Sequence, residues 1–198
     1  MNYKKISFSL FLVLAVSVFG KFYFENHVSY ERVITTARTN VSIVRSNSVE
    51  FEYGQPIKVE RVVDGDTVQL ESGERLRYIG IDTPEEFDPR KPIQCFAKEA
   101  TDRNRDLVEG KTVTVYKDVS TRDKYGRLLG FVYLSNGTFV NSQLVREGFA
   151  FNYPYQPDTS KAKEFKESEE QARKSRFGLW KACSVHGTKS GREQTNTL

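Results

Sequence analysis

The feature that most constrains the fold of this chain is a run of five short strand-like segments with one helical segment after the third. The first two, IKVERVV and TVQLE, alternate apolar and polar residues around the turn signal DGD. The third is RLRYIGI, and the last two are TVTVYKDV and RLLGFVYL. Between the third and the fourth, residues 96–110 place apolar side chains on one broad helical face and end at a glycine.

This order predicts an α+β protein built on a five-stranded OB-fold β-barrel, because a helix between the third and fourth of five strands is the arrangement of that fold. Two more helices are expected: NSQLVREGFA, with Asn141 as its N-cap, and SKAKEFKESEEQARKSRFG. We therefore expect three helices, a domain over residues 53–184, and a polar, frayed tail over residues 185–198. The face of such a barrel commonly binds nucleic acid or oligosaccharide.

Residues 1–20 have the composition of an export segment. The basic stretch MNYKK is followed by 15 uncharged, mostly apolar residues. A bilayer span needs about 20, so this length favours a signal peptide, with Val18 and Gly20 suited to cleavage before Lys21. An uncleaved membrane anchor is the alternative. We expect an exported protein, secreted or tethered to the outer face of the cytoplasmic membrane, with residues 21–52 as a spacer.

Charge and cysteine content restrict the partners and the compartment. Without residues 1–20 the chain has 28 basic and 26 acidic side chains, a net charge of +2. An anionic partner must therefore be held by locally placed Lys and Arg side chains, not by bulk charge. The two cysteines, Cys95 and Cys183, are expected to form a disulfide in an oxidising compartment, and two buried free thiols are the alternative.

Three short segments carry chemistry: DGDT, RYIGIDTPE and DKYGR. Each has an ordinary interpretation by itself, as a hairpin turn, a surface salt bridge at a strand end, and a glycine-containing turn. In the second segment, strand alternation predicts that Arg77, Ile79 and Ile81 share one face, with Asp82 at the start of the loop. The three carboxylates that follow this strand suggest either a solvated loop or a site where a cation is expected.

The ordered set DGDT, R-x₄-DTPE, DKYGR and YPYQP closely resembles the thermonuclease (staphylococcal-nuclease-like) family, from about Val59 to Trp180. Each motif is weak alone, but the set in this order is specific. The resemblance implies an OB-fold barrel and Ca²⁺-dependent hydrolysis of phosphodiester bonds in DNA and RNA, leaving 3′-phosphates. The expected partners are DNA and RNA, preferably single-stranded. We expect a monomer that meets a membrane only through its N-terminal segment.

The resemblance also implies roles at the reacting centre. Asp66 and Asp82 would bind Ca²⁺ through their carboxylates and Thr83 through its backbone carbonyl, the hard oxygen ligands that Ca²⁺ prefers. Glu85 would position or deprotonate the attacking water, with the metal carrying part of the activation.

Substrate contacts are implied in the same way. Arg77 and Arg127 would hold the scissile phosphate, since a guanidinium can donate two parallel hydrogen bonds that strengthen as charge develops. The other implied substrate-binding residues are Thr67, Lys124, Tyr125, Tyr153 and Tyr155. Stacking on the last two tyrosines would add sequence-tolerant affinity, and packing before the last helix is the alternative for both.

A non-catalytic OB-fold module that binds nucleic acid or a protein partner is the competing hypothesis, because degenerate members of the family serve as scaffolds. Such copies usually lose some of the acids or arginines. The full set is present here: Asp66, Asp82, Glu85, Arg77 and Arg127. Hydrolysis is therefore favoured over binding alone.

Overall fold

The computed structural model describes residues 49–86, 92–189 and 191–198. The predicted export segment, residues 1–20, and most of the predicted spacer lie outside the described residues. Among the helices that are described, none combines the length and the apolar character needed to span a bilayer.

Nine strands and four helices are present in the described part of the chain. The strands are β1 Pro56–Asp64, β2 Thr67–Leu70, β3 Arg75–Tyr78, β4 Ile81–Asp82, β5 Thr112–Tyr116, β6 Leu128–Leu134, β7 Phe151–Asn152, β8 Val185–Gly187 and β9 Glu193–Thr195. The helices are α1 Ala97–Val108, α2 Val140–Arg146, α3 Ala162–Ser175 and α4 Leu179–Ala182.

Five strands close into a barrel in the order β1-β2-β3-β6-β5. The pairing of β3 with β6 is parallel, and the other neighbouring pairs are antiparallel. The alternating residues seen in the sequence point inward, so that Val59, Val68, Leu76 and Val115 are fully buried. With α1 between the third and fourth barrel strands, this topology confirms the predicted α+β OB-fold barrel. The expected number of three helices is wrong, because the described residues contain a fourth, the short α4.

The third predicted strand is broken. β3 covers only its first four residues, and Gly80 then adopts a φ of 78° before the chain resumes as β4, which pairs with β7 outside the barrel. A Cβ atom at Gly80 would collide with the ring of Phe165 in α3, so close packing as well as φ requires glycine. The prediction that Arg77, Ile79 and Ile81 share one strand face is therefore wrong, and the break turns β4 out of the barrel.

The predicted role of Asn141 is also wrong. Phe139, not Asn141, is the N-cap of α2. The side chain of Asn141 is buried, accepts a hydrogen bond from the Val132 N–H at 3.0 Å, and donates to the carbonyl oxygens of Ile79 and Gly130 at 3.0 and 3.3 Å. It therefore ties α2 to β6 and to the break after β3, which is a long-range role that a local capping pattern does not reveal.

The described residues of 185–198 do not form a frayed tail. β8 and β9 form an antiparallel hairpin, and Thr195 within it is fully buried. The Thr195 hydroxyl donates to the carbonyl oxygen of Cys95 at 2.8 Å, and the Cys95 N–H donates to the carbonyl oxygen of Asn196 at 2.7 Å. The prediction failed because this segment is held by hydrogen bonds, which leave no apolar periodicity in the sequence.

A disulfide closes this region. Cys95 lies just before α1 and is bonded to Cys183 at the end of α4, with their Cα atoms 6.0 Å apart. The bond joins the segment that enters the first helix to the segment that leads into the hairpin.

Candidate active site

Two of the carboxylates predicted to bind metal lie side by side at the rim of the barrel. Asp66 is in the turn between β1 and β2, Asp82 is the last residue of β4, and they are 5% and 7% exposed. The backbone N–H and the hydroxyl of Thr83 donate to Asp66 Oδ2 at 2.9 and 3.0 Å. A Cβ atom at Gly65 would lie 2.6 Å from Thr83 Oγ1, so glycine permits this close approach of the turn to the end of β4.

Arg77 bridges the two carboxylates. Its Nη1 forms an ion pair with Asp66, its Nη2 donates to Asp82 Oδ1 at 2.9 Å, and its side chain is 15% exposed. Burial disfavours the charged guanidinium, but Asp66 and Asp82 outweigh that effect and raise the pKa of Arg77 above its ordinary value. The structure therefore brings together the arginine and both aspartates that the RYIGIDTPE and DGDT segments singled out.

Asp64 is a third carboxylate at this site, and the motifs predicted no role for it. Its Oδ1 accepts a hydrogen bond from the Asp66 N–H at 3.1 Å. Burial, reinforced by the negative charge of Asp66, raises the pKa of Asp64 to about 7. The pattern Asp-Gly-Asp was the available signal, but it is equally typical of a hairpin turn.

The oxygen atoms at this rim are the kind of ligand that a hard cation prefers. Burial also raises the pKa of Asp82, although Arg77 partly opposes the shift. A cation would therefore relieve a local excess of buried negative charge. In the described residues, no three Asp, Glu, His or Cys side chains form a preassembled metal cluster. Two carboxylates, the Thr83 carbonyl and water nevertheless suit Ca²⁺, which accepts oxygen ligands in flexible geometry.

Glu85 lies in the loop that follows β4. Its N–H donates to Gln94 Oε1 at 2.9 Å, and its carbonyl oxygen accepts from the Gln94 N–H at 3.0 Å. Gln94 immediately precedes Cys95, so the disulfide lies next to the residue that holds the Glu85 backbone. Glu85 lines one pocket together with Asp82 and Thr83, which places the predicted base beside two predicted metal ligands.

Arg127 immediately precedes β6, and Leu129, two residues further on, pairs with Arg77 in the parallel β3–β6 ladder. The two arginines are therefore carried by neighbouring strands. In the described part of the chain the ion pair of Arg127 is with Asp123 of its own turn, where Nε donates to Oδ2 at 2.7 Å. The structure does not place Arg127 against Asp66 or Asp82.

Thr67 contacts Asp66 directly, and Tyr153 is linked to Asp82 through Arg192. Thr67 is buried, and its hydroxyl donates to Asp66 Oδ1 at 3.2 Å. Tyr153 carries the guanidinium of Arg192 over its ring, at 4.8 Å from the ring centroid.

The other predicted substrate-binding residues lie on the surface. Tyr125 and Tyr155 are both exposed, and Lys124 places its Nζ 5.1 Å from the centroid of the Tyr125 ring. The structure leaves these three side chains accessible and does not bring them to the buried aspartates.

Arg192 is a site residue that the sequence did not suggest. It precedes β9, and its Nη2 forms an ion pair with Asp82 Oδ2. Arg192 is separated from Asp82 by 110 positions, and residues 185–198 were expected to be frayed. No local pattern therefore pointed to it.

A closed five-stranded barrel with two aspartates and an arginine at its rim agrees with the OB-fold and the residues that the resemblance to the thermonuclease family implies. Residues 75–182 match the family described as staphylococcal nuclease homologue, and the chain belongs to this family. The predicted resemblance is thereby confirmed.

Individual relatives agree with this assignment. The chain is 35% identical over 129 residues to a thermonuclease of Staphylococcus hyicus, a match that covers 64% of this chain and 76% of that protein. It is 36% identical over 129 residues to the SPbeta prophage-derived endonuclease YokF of Bacillus subtilis (strain 168), covering 63% of this chain and 43% of that protein. Endonuclease YncB of the same strain is 35% identical, and 61% of its length is covered. The matched region thus covers less than two thirds of the length of each of the two Bacillus relatives.

Proposed function

We propose that the protein is an exported, Ca²⁺-dependent nuclease that hydrolyses phosphodiester bonds in DNA and RNA. The observation that carries this proposal is the group formed by Asp66, Asp82 and Arg77 at the barrel rim, with Glu85 lining the same pocket as Asp82. The names of its relatives, thermonuclease and endonuclease, support the same reaction class.

The metal would be held by the carboxylates of Asp66 and Asp82 and by the carbonyl oxygen of Thr83. When bound, Ca²⁺ would supply Lewis-acid stabilisation of the phosphate charge and part of the activation of water. The hydrogen bonds from Thr83 support this assignment, because they orient the Asp66 carboxylate through its Oδ2. Its Oδ1, which accepts a hydrogen bond from Thr67, would be shared between Thr67 and the metal.

Glu85 is the base in the proposed reaction. It accepts a proton from the water whose oxygen attacks phosphorus, and the bond from phosphorus to the 5′-oxygen breaks. The 5′-oxygen takes a proton from solvent, so the products are a 3′-phosphate and a 5′-hydroxyl. The two backbone hydrogen bonds to Gln94 support this role, because they hold the loop that carries the carboxylate.

The phosphate is held by Arg77 and Arg127. Both guanidinium groups are now paired with carboxylates, and both can exchange these partners for phosphate oxygens through bidentate hydrogen bonds. Such donors act most strongly on the charge that develops in the transition state. Thr67 would help to orient water beside the metal.

Nucleotides on either side of the cleaved bond would be bound by the surface residues of the site. Lys124 and Tyr125 would contact a neighbouring phosphate, and Tyr153 and Tyr155 would flank the nucleotide. Single strands are favoured as substrates because their bases are free to stack on the tyrosines. We further propose a monomer that is secreted or tethered to the outer face of the cytoplasmic membrane, which agrees with the disulfide between Cys95 and Cys183.

A chelation assay on the purified full chain tests the function. We expect it to degrade a labelled single-stranded oligodeoxynucleotide in Ca²⁺, to stop when the ion is chelated, and to leave 3′-phosphate ends detectable by mass spectrometry. Glu85→Gln should lose most of the activity. DNA binding without cleavage across a wide range of Ca²⁺ concentrations would instead establish the non-catalytic OB-fold module.

A further inference from the structure

The C-terminal hairpin forms part of the wall of the candidate active site. Arg192, Glu193 and Gln194 line the same pocket as Asp82 and Glu85. The hairpin lies beyond residues 75–182, the region that matches the nuclease family. The hairpin therefore supplies charged and polar side chains to a pocket whose other lining residues come from β4, β7 and the loop that follows β4.

The hairpin is anchored to the segment that holds the predicted base. Besides the two hydrogen bonds that Cys95 makes with Thr195 of β9 and with Asn196, the Leu198 N–H donates to the carbonyl oxygen of Ile93 at 2.9 Å. The same segment contains Gln94, which binds the backbone of Glu85 on both its N–H and its carbonyl group. The position of the hairpin is therefore coupled to the position of the Glu85 loop.

Arg192 combines fixed placement with access to solvent. Its side chain is 39% exposed, whereas that of Asp82, with which it pairs, is 10% exposed. The ring of Tyr153 supports the guanidinium from 4.8 Å. A guanidinium has five N–H donors, and the contact with Asp82 uses one of them.

We propose that Arg192 is a substrate-binding residue, and that its guanidinium binds a backbone phosphate of the nucleic-acid strand next to the cleaved bond. This inference rests on the proposed nuclease function. When Asp82 serves as a metal ligand, a phosphate becomes the competing partner for Arg192, and Tyr153 keeps the guanidinium at the pocket. Arginine suits that exchange because its planar fork matches phosphate oxygens as well as it matches a carboxylate.

Steady-state cleavage of single-stranded DNA by the full chain tests this role. We expect Arg192→Gln to raise KM by about tenfold or more and to change kcat little, because a charge-assisted hydrogen bond to substrate is lost. The slope of log(kcat/KM) against log(salt) should become shallower by about 0.7, the value for one phosphate contact on a single strand. Arg192→Lys should keep the salt slope and recover only part of the KM.

Lys189→Gln is the matched control, because it removes the same charge from an exposed position of the same hairpin. The proposal is overturned if Arg192→Gln has the KM and the salt slope of this control. It is also overturned if kcat falls at unchanged KM, since Arg192 would then act only on Asp82. A purely structural role would lower the melting temperature without moving the salt slope.

A binding measurement separates this inference from the nuclease function itself. In the Glu85→Gln background with Ca²⁺ present, fluorescence anisotropy of a labelled single strand should show weaker binding for Arg192→Gln than for Lys189→Gln. If the unmodified chain fails to cut DNA but this difference is found, the nuclease function fails and only the binding of a nucleic-acid strand by Arg192 stands. If the unmodified chain cuts and the two variants bind equally, the role of Arg192 fails.

Discussion

The barrel and the C-terminal hairpin both contribute to the candidate active site, but they are held by different forces. The barrel strands enclose an apolar core in which Val59, Val68 and Leu70 are fully buried. Among the described residues of 185–198, Thr195 alone is buried, and the hairpin is held by hydrogen bonds next to a disulfide. Burial of apolar area stabilises the first region, whereas polar and covalent contacts stabilise the second.

Removing the disulfide should have the largest effect on stability, and the hairpin should be the region that is destabilised. The bond closes a loop of 88 residues, which corresponds to about 4.6 kcal/mol in the chain-entropy model. We expect the double variant Cys95→Ser/Cys183→Ser to lose up to about this free energy of unfolding, measured by urea titration.

The same variant provides the control for reduction. Reductant should lower the melting temperature of the unmodified chain and leave that of the double variant unchanged. Identical melting temperatures for the unmodified chain with and without reductant would falsify the stabilising role of the bond. Proteolysis of residues 185–198 before the barrel, on reduction, would show that the two regions separate.

Substitution of Arg77 should have the largest effect on activity from the barrel side. Arg77→Gln removes an oriented donor to the phosphate, so kcat should fall by about 10²–10³, equivalent to about 2.7–4 kcal/mol. Initial rates of DNA cleavage in Ca²⁺ measure this loss. Arg75→Gln is the control, because Arg75 is an exposed arginine of the same strand. Equal rates of DNA cleavage in the two variants would show that Arg77 does not contribute to the reaction.

The difference in forces explains what could be predicted from the sequence. Alternating apolar residues mark the barrel strands, so the barrel could be predicted from local pattern. The aspartates of DGDT and DTPE were singled out through the resemblance that the ordered motifs carry. Gly80 breaks its strand because the Phe165 ring of a distant helix occupies the space beside it, which no local pattern reports. Arg192 reaches Asp82 through a hairpin held by polar contacts, so hydrophobic periodicity gave no signal for it.

Glycine substitutions should show how tightly the barrel region is packed, through the free energy of unfolding that each one costs. Gly80→Ala combines a positive φ with a collision against Phe165, so we expect a loss of about 2–4 kcal/mol in the free energy of unfolding. Gly73 also has a positive φ, of 85°, but open space at its Cβ position, so Gly73→Ala should cost only about 1 kcal/mol. Equal midpoints in urea would show that Phe165 moves aside freely.

The smallest effect is expected at Glu169 of α3, the helix that contacts the hairpin through Arg173. Its Oε1 accepts a hydrogen bond from the Asn152 N–H at 3.0 Å, and Arg173 lies 3.6 Å from its other oxygen while also pairing with Glu193 of the hairpin. Burial raises the pKa of Glu169 above its ordinary value, although the Asn152 N–H and Arg173 oppose the shift and Glu193 adds to it.

Because folding favours the protonated form of Glu169, its contribution to stability is fully present below the ordinary pKa of a glutamate and is lost as pH rises through the raised value. Glu169→Gln stays neutral and keeps an acceptor for Asn152. As pH rises above the ordinary pKa of a glutamate, about 4.3, the free energy of unfolding of Glu169→Gln should therefore increase relative to that of the unmodified chain, by less than the glycine effect. Urea titrations at pH values below and above this pKa measure the difference, with Glu170→Gln, an exposed neighbour on α3, as the control. A difference that stays constant with pH would mean that Glu169 is as readily ionised in the folded protein as in the unfolded chain, so that burial does not raise its pKa.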